Sequence, residues 1–223
     1  MGSEGPSAVS IYVTGFKKFH GVKRNPTEEI VTNLKEFMGK KGLPKGLSIE
    51  ICEILETAGQ GALNPLNQFF QSAILGLENL DGTSSNARRT IMIHFGVNSG
   101  ASRFAIESQA VNEATFRCPD ELGWKPQKTP IVQEDGGIGR MRKTTLPVKE
   151  MKRKLEEMEY PVVLSEDAGR FVCNYVYYHS LRFAEEHGIQ SLFVHVPLFM
   201  TINEDKQMQF VASLLEVLAS LIS

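Results

Sequence analysis

Residues 165–178 read SEDAGRFVCNYVYY. The turn-forming Asp167-Ala168-Gly169 leads through Arg170 into an apolar and aromatic run of Phe171, Val172, Tyr175, Val176, Tyr177 and Tyr178. Just before it, Pro161-Val162-Val163-Leu164 reads as a strand. A strand, a glycine turn and a helix in succession point to the α/β class. A helix beginning near Gly169 or Arg170 places Cys173 in its first turn. Unpaired backbone N–H groups and the positive end of the helix dipole stabilise a thiolate there. Arg170 adds a cation at the same end. An ordinary cysteine is more often a small buried apolar residue; the helix start behind a strand weighs toward chemistry.

Further along, Phe193-Val194-His195-Val196-Pro197 reads as a buried strand stopped by proline. A histidine in such a run is more often a satisfied core residue than a base. A strand–helix–strand unit, however, puts the end of one strand beside the start of the helix packed on it. Cys173 follows strand 161–164 and His195 ends strand 191–196, so both are expected on one edge of a parallel sheet, where open α/β sheets carry their sites. Cysteine with histidine is the minimum for thiol catalysis: the imidazole takes the thiol proton and returns it to the leaving amine.

The rest of the chain extends the same alternation. Ile11 to Gly15 reads as a first strand, Leu47 to Leu55 as a second and Arg89 to Phe95 as a third. Helices are expected from Asn25-Pro26 to Lys40, from Leu66 to Leu80 through Asn64-Pro65, from Pro147 to Met158 and from Asn203 to Leu221. Glu107 to Asn112 reads as an edge strand, and 119–139 as a long Pro- and Gly-rich loop. The expected fold is a single-domain three-layer α/β sandwich, with helices on both faces of a mostly parallel twisted sheet. Residues 1–8 are expected to be a loose tail and 9–223 the domain.

Composition narrows the function. With 223 residues, 42% hydrophobic and 22% charged, and a net charge of -2, the chain has the balance of a globular protein. Nothing here makes an electrostatic case for nucleic acid or an anionic membrane. No apolar run approaches the ~20 residues of a membrane span. Three cysteines, Cys52, Cys118 and Cys173, are an odd and sparse set, which favours a reducing, cytoplasmic setting over a disulfide framework. No metal-binding spacing stands out, and neither metal nor cofactor is expected.

Four landmarks, in order, resemble the pyroglutamyl peptidase I (pyrrolidone carboxyl peptidase) family. Val13-Thr14-Gly15-Phe16 with Phe19 and Asn25-Pro26 is similar to its opening motif. Glu107, Ala110, Asn112, Arg117, Pro119 and Asp120 match its segment of a catalytic glutamate, Ala-x-Asn and Arg-x-Pro-Asp. Ala168-Gly169-x-Phe171-Val172-Cys173-Asn174 resembles its nucleophile motif, and Val194-His195-Val196-Pro197 its histidine strand. The resemblance implies a cysteine peptidase that removes an N-terminal pyroglutamyl residue from peptides. It implies Cys173 as nucleophile, His195 as base and acid, and Glu107 as the residue orienting the imidazole. Spacing alone does not single out Glu107. The resemblance further implies Arg117 beside the tetrahedral oxyanion, Phe16 and Phe19 against the lactam ring, and homodimers or homotetramers.

The chain also departs from the family. Many bacterial members read FDPFGG where this one has Phe16-Lys17-Lys18-Phe19-His20-Gly21, and GQAGGR where it has Gly96-Val97-Asn98-Ser99-Gly100-Ala101. Two other classes stand beside the peptidase: a protein that binds modified N-termini without cleaving them, and an acyl-transfer enzyme acting on a different lactam.

Overall fold

The computed structural model describes residues 9–78 and 89–222. The expected tail, the end of the second helix and the loop after it lie outside the described residues. In chain order the elements are β1 (Val9–Phe16), α1 (Pro26–Lys41), β2 (Leu47–Leu55), α2 (Gly59–Glu78), β3 (Arg89–Val97), β4 (Phe104–Glu107), β5 (Gln109–Val111), β6 (Met141–Lys143), α3 (Val148–Glu157), β7 (Val162–Ser165), α4 (Val172–His187), β8 (Gln190–Val196) and α5 (Glu204–Ile222).

β1 is buried along its whole length. Successive side chains point to opposite faces of a strand, so Ile11 and Val13 enter one core while Tyr12 and Phe16 enter another. A strand apolar on both sides needs cover on both sides. α1, α3 and α5 supply one layer, and α2 and α4 the other. The sheet between them runs β2-β1-β3-β8-β4-β7. Four of its neighbouring pairs are parallel and one, β4 with β8, is antiparallel. The expected three-layer, mostly parallel sandwich is the observed one.

Three local expectations need correction. α2 begins at Gly59 and carries Pro65 inside it, rather than starting after that proline. The proline removes one backbone bond from the helix, yet the helix start is fixed from far away: the Gly59 N–H donates to Asp120 Oδ2 at 2.9 Å. A cap 61 residues distant leaves no trace in the local pattern. By contrast α1 starts as its sequence suggests, with Thr27 N–H donating to the Asn25 side chain at 2.9 Å and Pro26 next to the cap.

The segment 107–112 is not one edge strand. β4 lies inside the sheet between β8 and β7, and β5 pairs with β6 in a separate two-stranded ribbon. The polar letters around Ser108 mislead because their partners are distant: Gln109 Nε2 donates to the Glu166 carbonyl at 2.8 Å.

The third correction concerns direction. β7 is parallel to β4, and β4 is antiparallel to β8, so β7 and β8 run oppositely. Cys173 and His195 still meet, but the turn 166–171 brings Cys173 there, not a shared strand direction.

Candidate active site

Cys173 is the second residue of α4. The turn before it needs glycine at position 169, where φ is +80°. No side chain caps the helix at Phe171, so the helix start opens on the cavity that Phe171, Val172 and Cys173 line. Asn174 anchors this start: its Oδ1 accepts from Val111 N–H at 2.9 Å, and its Nδ2 donates to the Val111 and Glu113 carbonyls at 2.8 and 3.0 Å. Gly96 makes the room. It pairs in register with His195, and a Cβ there would stand 2.6 Å from the Phe193 ring and 2.9 Å from Cys173 Sγ.

His195 and Glu107 come from the antiparallel pair. Ala105 faces His195 and Glu107 faces Phe193, which puts Glu107 diagonally across from His195. Such diagonal neighbours are within reach of long side chains, and Glu107 Oε1 lies 2.7 Å from His195 Nδ1. That leaves Nε2 for Cys173. Tyr177 Oη donates to the Glu107 backbone carbonyl at 2.9 Å, fixing β4 against α4. Burial works against a charge on His195, but the Cys173 sulfur and the Glu107 carboxylate outweigh it, and the imidazole is raised to about 10. A buried imidazolium between a sulfur and a carboxylate is the arrangement of a thiol nucleophile with its base and orienting acid.

His94, the other buried histidine of the central strands, stays neutral. Burial lowers it to about 3, and Thr14 Oγ1 and Ser180 Oγ each hold one ring nitrogen at 2.7 Å. It is a satisfied core residue lying against Phe193.

The cavity over the site measures about 760 Å³ and is lined by Phe16, Phe19, Glu107, Arg117, Cys173 and His195, among others. Phe16 is buried and packs against Phe193 at 6.4 Å between ring centres. Phe19 is half-buried in a tight turn bridged to Val22. Arg117 is exposed at the cavity and makes no ion pair among the described residues. Arg170, the expected cation near the thiol, is tied to Glu113 at 3.1 Å and Asp167 at 2.6 Å. Lys17 likewise turns away, to Glu56 at 2.5 Å. Among the described residues no group of side chains suits a metal ion, and no helix is long and apolar enough to cross a membrane.

The sequence matches the family model described as pyroglutamyl peptidase over residues 9–219. The chain belongs to the pyroglutamyl peptidase family. It is 34% identical to the pyrrolidone-carboxylate peptidase of Pyrococcus furiosus over 85% of this chain and 81% of that one. It is 28% identical to the Thermococcus litoralis protein of the same name over 84% and 76%. Its fold superposes on the pyrrolidone carboxyl peptidase of Fervidobacterium islandicum with a TM-score of 0.79 at 26% identity, covering 96% of this chain and all of that one. A variant of the Pyrococcus furiosus peptidase gives 0.76 at 29% identity, over 96% of this chain and all of that one.

Several residues that hold this pyroglutamyl peptidase site together carry no signal that local sequence reading could weigh. Asp120 is the clearest. Besides capping α2, it accepts from Leu122 and Trp124 N–H at 3.0 and 2.9 Å, fastening the loop that carries Arg117. Gly96 did leave a signal: a glycine inside a buried strand marks close approach by another group.

Proposed function

We propose that this protein is a cysteine omega-peptidase that hydrolyses the N-terminal pyroglutamyl (5-oxoprolyl) residue from peptides. The observation that carries the reading is the 2.7 Å Glu107–His195 contact, with Cys173 on the other flank of the ring. The Cys173 sulfur attacks the pyroglutamyl carbonyl carbon. As the new S–C bond forms and the C–N bond breaks, the thiol proton held on His195 passes to the departing amine. Water, activated by the now neutral imidazole, then splits the thioester, releasing free pyroglutamate and restoring the thiol. Glu107 keeps the ring oriented and steadies its positive charge. The first-turn amides of α4 and the Arg117 guanidinium suit the developing oxyanion.

The lactam is flat, small and uncharged, which fits a wall of Phe16 and Phe19. A free α-ammonium would need a carboxylate, and the two carboxylates lining the cavity are both engaged: Glu107 with His195, Asp167 with Arg170. We assign one domain, 9–223, to this activity. A catalytic thiol and unpaired cysteines favour a reducing cytoplasmic setting, and the homodimer or homotetramer that the family resemblance implies belongs to the same reading. Turnover of a pyroglutamyl-coumarin amide, absent in Cys173→Ala, tests the reading. Tight binding of that amide without turnover would instead make the protein a reader of modified N-termini.

A further inference from the structure

A cavity of about 760 Å³ is the size that holds a drug-sized ligand, and a five-membered lactam fills only a small part of it. Strand order decides where the remainder of a substrate goes. β1 brings Phe16, and the turn after it Phe19, to one side of β8; β4 and β7 lie on the other. A substrate with its ring on the phenylalanines and its scissile carbonyl at Cys173 therefore lays its leaving group over β4 and β7. Arg103, Ala105, Val163 and Ser165 line that end. Arg103 directly precedes β4. Phe104 points into the core beneath α3 and α5, while Ala105 and Glu107 alternate to the other face and line the cavity together with Arg103.

The charges at this end do not balance. Glu107 is engaged by His195, and Asp167 by Arg170. Arg103 is exposed and makes no ion pair among the described residues. The leaving-group end thus presents an unpaired guanidinium and no unpaired carboxylate. A planar guanidinium binds carboxylate through two parallel hydrogen bonds.

We propose that Arg103 is a specificity residue that selects leaving groups bearing a carboxylate, either an acidic side chain next to the pyroglutamyl residue or the free C-terminus of a pyroglutamyl dipeptide. The proposal rests on the peptidase reading above. The same carboxylate chemistry has these two sources, and four substrates separate them: pyroglutamyl-alanine amide, pyroglutamyl-alanine, pyroglutamyl-glutamate amide and pyroglutamyl-lysine amide. At low salt, kcat/KM for a carboxylate-bearing substrate should exceed that of the neutral alanine amide by about two- to fivefold, as for a solvent-accessible ion pair. The lysine amide should fall below the neutral one. The free dipeptide alone gaining would assign the C-terminus, and the glutamate amide alone gaining would assign the side chain. Arg103→Gln should bring the ratios close to one, and raising salt should compress them in the wild type. Ratios of one in the wild type, with the neutral amide still cleaved, would overturn the role of Arg103 and leave the peptidase reading standing. Ratios unchanged in Arg103→Gln would overturn it too. Failure to cleave any of the four would overturn the peptidase reading and this inference with it.

Discussion

Glu107 and His195 meet at 2.7 Å across the one antiparallel joint of an otherwise parallel sheet. The contact depends on register. Sliding β4 by one residue would turn Glu107 to the other face of the sheet. The contact also helps hold His195 protonated. Because the native imidazole is raised to about 10 from an ordinary 6.5, the folded state binds this proton more tightly than the unfolded chain. Its contribution to stability is complete below pH 6.5 and is lost as pH rises toward about 10.

Removing the Glu107 charge should therefore act on pH dependence as well as rate. Glu107→Gln is expected to fold, to lose roughly 10²–10⁴ in kcat/KM, and to shift the alkaline limb of its pH profile to lower pH. A pH–rate series on both proteins checks this. An alkaline limb that does not move would remove Glu107 from any electrostatic role toward His195.

The three cysteines should respond differently to iodoacetamide. Cys52 is half-buried, and burial pushes its thiol up to about 11, so it should react slowly. Cys118 is exposed and serves as the internal standard. Mass mapping should find Cys173 alkylated ahead of Cys118, with activity falling in step. Cys173→Ala and His195→Ala should each reduce turnover nearly as far as both together, because residues of a catalytic unit are not additive. Full activity in Cys173→Ala would end the proposed mechanism.

The aromatic wall should read more than shape. A prolyl ring would fit against Phe16 and Phe19, but its ring ammonium would be buried beside no free carboxylate, which is costly. Sites that hydrogen-bond a substrate group reject analogues lacking it by up to ~10⁴–10⁵. Pyroglutamyl amides should be cleaved and prolyl amides essentially not. Phe16→Ala should lower kcat/KM for pyroglutamyl without rescuing prolyl. Comparable hydrolysis of both rings by the wild type would rule out the pyroglutamyl assignment.

Gly96 offers a steric test. A methyl group there would press on Phe193 and on Cys173 Sγ, at 2.6 and 2.9 Å. Overpacking of this kind costs about 1–3 kcal/mol, so Gly96→Ala should lower Tm and also misplace the thiol, lowering kcat. Gly39, within α1, has open space around its Cβ position. Gly39→Ala should leave activity unchanged and raise stability slightly, by about 0.5–1 kcal/mol. Equal behaviour of the two variants would show that the space over Gly96 is not needed.

What could be read in the sequence followed from how local its cause was. The positions of Cys173 at a helix start and His195 at a strand end are consequences of neighbouring residues, and both stand where the pattern put them. Glu107 needed the family resemblance, because its link to His195 is made by strand pairing, which no spacing along the chain encodes. The start of α2 and the anchoring of the Arg117 loop were hidden for a similar reason. One buried side chain, Asp120, secures both from a distance. The direction of β7 was misread because a strand–helix–strand unit is almost always parallel when its strands adjoin, and here β4 separates them.

The strand order has a consequence for how the protein comes into being. β8 is the last strand among the described residues, yet it sits in the interior of the sheet, with β3 on one side and β4 on the other. Until it arrives, β2-β1-β3 and β4-β7 are two separate pieces with open hydrogen-bonding edges. A chain still being synthesised up to this point has Cys173 but neither His195 nor the joint that sets Glu107 against it. The proposed thiol–imidazole pair thus cannot form before β8 is in place, and the partly formed sheet is most prone to stray strand pairing just before β8 closes the gap.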